Sequence, residues 1–300
     1  MSLQSAHPNT GYGGVMYDRD AFERSLAVLR PKIHRYCTRM IGSALEAEDL
    51  VQDALSKAYA SWPEEGVRNP EAWLLRISHN RALDFLRARA KHGFDALEDH
   101  HIVSGDIEPL DAVSDASLAL SVLMHLTPLQ RSVVLLKDVF GYSLAECAVI
   151  LEQSTGAVKS ALHRARQNLK GLDRNHVEEM PSTLADKEAS LLRKYVSLFM
   201  SRDFVAVKDL LLEDVRLDLV AKVKKRGKSE VSHYFANYAD MHDLDLTAGC
   251  VEGRSAIKVT DASGGDYLII LTWKSNGVAS IQDFHFARYV LQNSVFQALT

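Results

Sequence analysis

Cysteine is scarce in this chain. Its 300 residues include three, Cys37, Cys147 and Cys250, widely separated and odd in number. That excludes a disulfide framework and gives no metal-ligand spacing. His34 and Cys37 lie three apart on an expected helix, but no second ligand pair follows, so they read as one helix face and no metal is expected. His100 and His101 sit in an acidic loop and read as exposed. Long apolar runs are missing too. None approaches the roughly 18 residues of a membrane span, so no membrane partner is expected. The first residues, with Pro8, Asn9, Gly11, Gly13 and Gly14, lack the pattern of a signal peptide. They read as a flexible arm over 1–17, and the expected location is the cytoplasm. An excess of positive charge is also absent. The formal net charge is −4, which excludes a generic polyanion binder and assigns any DNA affinity to local basic faces. What remains is 47% hydrophobic and 25% charged, ample for packed cores in two or three domains.

The most informative stretch runs from Leu126 to Lys170. Val158, Ala161, Leu162, Ala165 and Leu169 recur at helical spacing and form one apolar stripe. Lys159, Ser160, His163, Arg164, Gln167 and Lys170 lie opposite. Thr155 stands where a hydroxyl can cap the helix, and Ser143 can cap a shorter helix carrying Leu144, Ala148 and Leu151. Two short helices joined by a turn near Gln153 and Ser154 make a helix-turn-helix, whose second helix enters the DNA major groove.

The wording of this stretch goes further than its periodicity. Leu126-Thr-Pro-Leu-Gln-Arg131, Gly141-Tyr-Ser-Leu-Ala-Glu146, Gly156-Ala-Val-Lys-Ser160 and His163-Arg-Ala-Arg166 resemble, in order, domain 4 of the bacterial extracytoplasmic-function (ECF) sigma factors. Many relatives carry Arg where this chain has Ala161. The resemblance implies −35 recognition by Thr155, Lys159, Ser160, His163, Arg164, Arg166 and Gln167. Lys159, Ser160 and His163 would face base edges, and Arg164 and Arg166 the phosphates. It also implies contact with the polymerase β flap.

From Asp18 to about Ala90 the pattern is helical. Phe22, Leu26 and Leu29 start one helix, Pro31 opens a second, and Gly42 ends it. Ser43 begins a third, with an outer face of Glu46, Glu48, Asp49, Gln52, Asp53 and Lys57. Asn69-Pro70 starts a fourth, increasingly basic, with Trp73, Leu74, Ile77 and Leu83 as core. Ala47-Glu-Asp-Leu-Val-Gln-Asp-Ala54 and Trp73-Leu-Leu-Arg-Ile-Ser-His-Asn80 resemble domain 2 of the same family. The resemblance implies docking on the β′ coiled coil through Asp49, Gln52 and Asp53. It implies −10 recognition by Arg76, Asn80, Asp84 and Arg87, with Asn80 and Asp84 in a polar pocket for an extruded base. Asp84 replaces the uncharged residue of some relatives.

Residues 92–116 are acidic and poor in apolar side chains, and read as a linker. A second linker covers 173–185. Beyond it the pattern changes. Leu191 to Met200 and Asp203 to Leu212 read as helices, Val215–Leu219 as a strand, Lys222–Lys228 as a basic run at a turn, and Val231–Tyr238 as a helix. Strands follow at Leu244–Val251, Ser255–Thr260, Tyr267–Trp273 and Val278–Tyr289, with turn signals at Gly264-Gly265 and Asn276-Gly277. Helices and then a curved meander make an α+β unit. Its order resembles the SnoaL-like branch of the NTF2 cone fold, without the Asp-Gly-Gly-Gly motif of some relatives, since Val223-Lys-Lys-Arg-Gly227 stands there. On the last strand Asp283 and His285 share a face and form a candidate pocket pair.

The expected architecture is therefore multidomain. Sigma domain 2 (18–91) and sigma domain 4 (117–172), both all-α, precede a SnoaL-like α+β domain (186–300). The expected function is an alternative sigma factor whose C-terminal domain adjusts its activity. Its partners would be core RNA polymerase and promoter DNA, with any anti-sigma factor unknown, and neither cofactor nor catalysis is expected. The alternatives are a stand-alone helix-turn-helix regulator with a ligand-sensing domain and a SnoaL-type enzyme fused to a DNA-binding module. Domain 2 discriminates, because an independent regulator has no use for a polymerase-docking helix.

Overall fold

The computed structural model describes residues 16–91, 116–170 and 183–299, apart from Asp240, His242 and Ser263. Residues 1–15 of the expected arm and the larger part of both expected linkers lie outside the described residues, while Tyr17, expected in the arm, pairs with Val67 in an antiparallel bridge. Helix α1 (Arg19–Ile41) starts at Asp18, whose carboxylate accepts from the Ala21 N–H at 2.7 Å. The expected break at Pro31 does not occur, and the helix runs through it. Phe22, Leu29, Ile33, Tyr36 and Met40 hold both halves in one core, which outweighs the hydrogen bond proline cannot make. Gly42, at φ 83°, ends α1, and a Cβ there would lie 2.9 Å from the Met124 sulfur. Helices α2 (Ala44–Ala60) and α3 (Pro70–Lys91) complete the first group.

The second group comprises α4 (Ala116–Met124), α5 (Pro128–Val134) running into a π-helical turn (Leu135–Val139), α6 (Leu144–Ile150) and α7 (Thr155–Lys170). Thr127 with Gln130, and Ser143 with Glu146, form reciprocal capping boxes on α5 and α6. The cap of α7 is Ser154 instead of Thr155. Its hydroxyl accepts from the Ala157 N–H at 3.1 Å, while Thr155 is already helical. The two groups share one core, in which Leu74 and Leu75 join Val133, Leu136, Cys147 and Ile150. Arg131 is buried at the junction. Its guanidinium donates to the carbonyls of Leu123 (2.9 Å), Leu126 (3.0 Å) and Met124 (3.2 Å), and across the junction to Met40.

The rest is α+β. Helices α8 (Asp186–Met200) and α9 (Phe204–Asp209) precede β1 (Leu211–Leu219) and β2 (Val223–Arg226). Short helices α10 (Lys228–Ser232) and α11 (Tyr234–Ala239) lead to β3 (Leu244–Val251), β4 (Arg254–Asp261), β5 (Tyr267–Lys274) and β6 (Gly277–Asp283). Helix α12 (Tyr289–Gln292) and β7 (Gln297–Ala298) close the chain. The sheet order is β2-β1-β6-β5-β4-β3-β7, with β3 to β6 an antiparallel meander and β1 parallel to β6. Four expectations change here. The helix expected over Asp203–Leu212 ends at Asp209, and Leu211 and Leu212 already belong to β1. Part of the basic run is strand β2, held to β1 by pairs such as Lys224 on Asp218 at 3.1 Å. The expected helix at 231–238 is two, broken at His233. The last long strand stops at Asp283, because its carboxylate accepts the His285 N–H at 2.8 Å and turns the chain.

Both faces of this sheet are covered. Ile257, Val259, Ile269, Leu271 and Ile281 face α8 and α11, packing on Leu192, Tyr195, Phe199 and Phe235. Their neighbours Ala256, Leu268 and Ile270 point the other way. There they meet Phe284, Ala287 and Val290, together with Ala44 and Leu45 from the first turn of α2. The sheet's second face is thus sealed partly by the N-terminal helices.

Candidate nucleic-acid and polymerase interface

Helix α7 presents Thr155, Lys159, Ser160, His163, Arg164, Arg166 and Gln167 to solvent, while Val158, Ala161, Leu162 and Ala165 are buried. Its hydroxyl, amide, imidazole and cationic groups supply what base edges and phosphates require. Arg166 is engaged differently from its neighbours. Its guanidinium forks onto Asp138, with Nη2–Oδ1 at 2.7 Å and Nε–Oδ2 at 3.2 Å, and that carboxylate raises its pKa. Ala161, where many relatives have Arg, is packed inside.

The four −10 candidates all lie on α3. Asn80 and Arg87 line a cleft of about 290 Å³ with His79 and Leu83. Its other wall is Leu129, Leu151, Glu152 and Gln153 from the second helical group. Arg76 faces Glu152 across it at 3.7 Å. Asp84 points outward and pairs with Arg87 at 3.3 Å and Arg81 at 3.9 Å. His79 is buried against the Tyr36 hydroxyl at 2.9 Å, and burial lowers its pKa to about 4. Trp73 belongs to the core, edge-on to Trp62 at 5.3 Å.

On α2, Asp49 and Asp53 are exposed and Gln52 is half-buried. Glu48, expected on the same outer face, is instead buried, held by Arg30 at 2.5 Å and by the Tyr289 hydroxyl at 2.7 Å. The sequence pattern missed this because Tyr289 and α12 come from the far end of the chain. Ser43 likewise donates to Glu252 Oε2 at 2.5 Å, and the Ala44 N–H donates to Oε1 at 2.6 Å. Arg254 pairs with Glu46 at 3.3 Å. Glu252 therefore caps α2 from the β3–β4 turn, in a left-handed conformation (φ 51°) that a glutamate adopts at a cost. Burial raises its pKa, opposed by the Ser43 and Ala44 donors. His34 completes the contact. Its Nε2–H donates to the Ala44 carbonyl at 2.9 Å, and its Nδ1 accepts from Asn293 at 3.2 Å. Burial holds the ring neutral, with its pKa lowered to about 4. His34 and Cys37 are core groups.

Asp283 and His285 are not a dyad. Asp283 is 1% exposed and its Oδ2 accepts from the hydroxyls of Tyr234 (2.6 Å) and Tyr238 (2.7 Å). Burial raises its pKa against the tyrosine donors. Only the backbone N–H of His285 reaches it. The imidazole lies past the strand end, edge-on to Tyr267 at 4.9 Å and beside Arg288. The tyrosines lie on α11, one helical turn apart, a spacing visible in the sequence but with no mark of their shared partner.

Comparison with known proteins identifies this arrangement. Residues 27–92 match the model for sigma-70 region 2, and residues 117–169 that for sigma-70 region 4. The ECF RNA polymerase sigma factor SigW of Bacillus subtilis is 31% identical over 166 residues, covering 51% of this chain and 89% of SigW. The chain belongs to the ECF sigma factors. It is an alternative sigma factor that directs RNA polymerase to promoters, with core polymerase and promoter DNA as partners. Among solved structures, this sigma factor is similar to the ECF sigma factor SigJ of Mycobacterium tuberculosis. The two are 20% identical, the match covers 87% of this chain and 95% of SigJ, and the TM-score is 0.37. An NTF2-like protein from Cytophaga hutchinsonii is 19% identical and matches 32% of this chain and 96% of its own, with a TM-score of 0.26. Both sigma-70 models end before Lys170, so the α+β half is additional to them. Among the described residues no helix is long and apolar enough to cross a membrane.

Proposed function

We propose that residues 18–91 act as sigma domain 2 and residues 117–172 as sigma domain 4, each with its own interface. Asp49, Gln52 and Asp53 on α2 dock on the β′ coiled coil, and domain 4 touches the β flap. Arg76, Asn80 and Arg87 on α3 take the −10 element, with Asp84 biasing the base accepted. Lys159, Ser160 and His163 read −35 bases, while Thr155, Arg164, Arg166 and Gln167 hold the backbone. Residues 186–300, read as an NTF2/SnoaL-like cone, adjust activity in cis without catalysing a reaction. The protein works where polymerase is, in the cytoplasm.

The observation that carries the regulatory part is the junction at α2. The cone seals its outer sheet face with Ala44 and Leu45 and caps the same helix with Glu252, next to the polymerase-docking residues. Undocking would expose apolar sheet and take the Glu252 acceptors away from the Ser43 hydroxyl and the Ala44 N–H, leaving the first turn of α2 with its Ser43 cap alone, so docking state and polymerase affinity are coupled. Asp49→Ala with Asp53→Ala tests the docking surface. Both side chains are exposed, so the change should cost under about 0.5 kcal/mol of stability while weakening core polymerase binding. Unchanged affinity of the folded double variant would remove this surface from the account.

A further inference from the structure

The β1–β2 hairpin carries a row of cations on the sheet face opposite α8 and α11. Arg216 stands directly across from Arg226, and Asp218 across from Lys224. Leu217 points into the core, so strand alternation turns Arg216, Lys224 and Arg226 to the other side. Lys224 is paired with Asp218 at 3.1 Å. Arg216 and Arg226 are exposed, and among the described residues neither has an ion pair.

Like charges directly opposite one another on a sheet are destabilising. Lysine on an edge strand deters pairing with other chains, which accounts for a cationic β2. It does not account for Arg216, because β1 lies inside the sheet between β2 and β6. The row continues in hydroxyls. Ser280 on β6 is level with Arg216, and Thr272 on β5 is level with Ser280. Two guanidinium groups without a counter-charge and two hydroxyls on an open sheet are complementary to phosphate oxygens.

The turn of the hairpin adds an aromatic ring. Phe286, just past β6, is 49% exposed, and the Lys222 ammonium lies over its ring at 5.4 Å. About 13 Å of strand separates Lys222 from Arg226, the length of about four nucleotides at 3.4 Å each. An exposed ring beside a line of cations is the combination that binds unpaired nucleotides, with the ring stacking a base and the cations holding the backbone. In a duplex the bases are stacked on one another and offer the ring no face.

We infer that Phe286, Lys222, Arg216 and Arg226 form a single-stranded DNA site on the α+β domain, with a base stacked on Phe286 and phosphates held by the arginines. Its occupant is a promoter strand unpaired when polymerase opens the DNA, since promoter DNA is the polyanion on which this chain works. The site is separate from α3 and α7 and does not depend on the bases assigned to them.

Binding of the full chain to a fluorescent oligodeoxythymidine of about 12 nucleotides tests this, with anisotropy read at several salt concentrations. Phe286→Ala should weaken binding about tenfold and leave its salt dependence unchanged. Arg216→Gln with Arg226→Gln should weaken binding and lower the slope of log affinity against log salt by about 1.4, at about 0.7 per phosphate contact on a single strand. All three side chains are exposed, and the double change removes a like-charge pair, so melting temperatures should not fall. Unchanged affinity in both variants would overturn the inference. If Asn80→Ala still lost affinity in that case, the −10 reading of α3 would stand without it. A flattened slope with no effect of Phe286→Ala would also overturn it, because a polyanion is then held without a stacked base. Tighter binding of an oligoglutamate of equal charge would make the partner an acidic protein, and preference for oligouridine would make the strand RNA. Either result overturns the assignment to DNA.

Discussion

Replacing Glu252 by alanine removes both side-chain acceptors that the α+β domain offers to the first turn of α2. The Ser43 hydroxyl and the Ala44 N–H lose partners at 2.5 and 2.6 Å. Hydrogen bonds to a charged group contribute about 1.5–3 kcal/mol each in favourable cases, and a carboxylate at a helix N-terminus adds about 0.3–1 kcal/mol. Against this stands the burial that raises the pKa of Glu252, together with the left-handed backbone that alanine must also adopt. The net loss of docking stability should be about 2–3 kcal/mol. At one decade per 1.4 kcal/mol, hydrogen exchange at Ala44 and Leu45 should accelerate by roughly 30- to 140-fold. The change should be confined to the start of α2 and the facing β3–β4 turn. Glu252→Gln, which keeps one acceptor in place, should show about half the loss in free energy. Exchange mass spectrometry on peptides covering residues 43–50 reads the effect directly. Unchanged protection at Ala44 would refute the capping argument. Uniform acceleration through α3 and β5 would mean that the substitution unfolds the protein instead of undocking the α+β domain.

Lys159→Ala should cost roughly 1–3 kcal/mol at one promoter position and relax specificity there, whereas Arg164→Ala should weaken binding evenly and flatten its salt dependence. A promoter library assayed at two salt concentrations separates the two, and identical uniform losses would contradict the division of roles. His34 and His79 are held neutral with pKa values of about 4, below the ordinary 6.5, so the unfolded chain takes up protons first. Their stabilisation is present above pH 6.5 and is lost as pH falls toward 4, amounting to about 3 kcal/mol each at the acid end. Denaturant midpoints that stay flat between pH 7.5 and 5 would contradict it. Asp283→Ala should cost about 2–4 kcal/mol by removing the buried acceptor on which the Tyr234 and Tyr238 hydroxyls converge, read as a lower melting temperature. A turnover activity lost without loss of stability would contradict the structural role of that carboxylate.

The helical half was readable in the sequence because its information is local. Ser43, Ser143, Gly42 and the apolar stripe of α7 each specify a helix end or face within a few residues, and the structure uses them as the pattern implies. The failures share one physical origin, which is contact over long sequence distance. Pro31 lies inside one helix because Phe22 and Met40 are anchored by the same core. Glu48 looks solvent-facing by periodicity, yet Tyr289, 241 residues away, buries it. Asp283 and His285 share a strand face only if the strand continues, and the aspartate's own side chain ends it. Glu252, Tyr234 and Tyr238 gained their roles from partners that no local window contains. The exposed candidates on α7 were the most legible of the site because exposure on an amphipathic helix follows directly from spacing.

The central claim is that this chain redirects RNA polymerase. Its most direct test is in-vitro transcription of fragmented genomic DNA by core polymerase, alone and with the purified full-length protein. The account predicts that the protein co-purifies with core polymerase and initiates transcription at a defined subset of fragments, and that Asp49→Ala with Asp53→Ala reduces both. Tight binding of double-stranded promoter DNA by the protein alone, with no association with core polymerase and no new start sites, would contradict it.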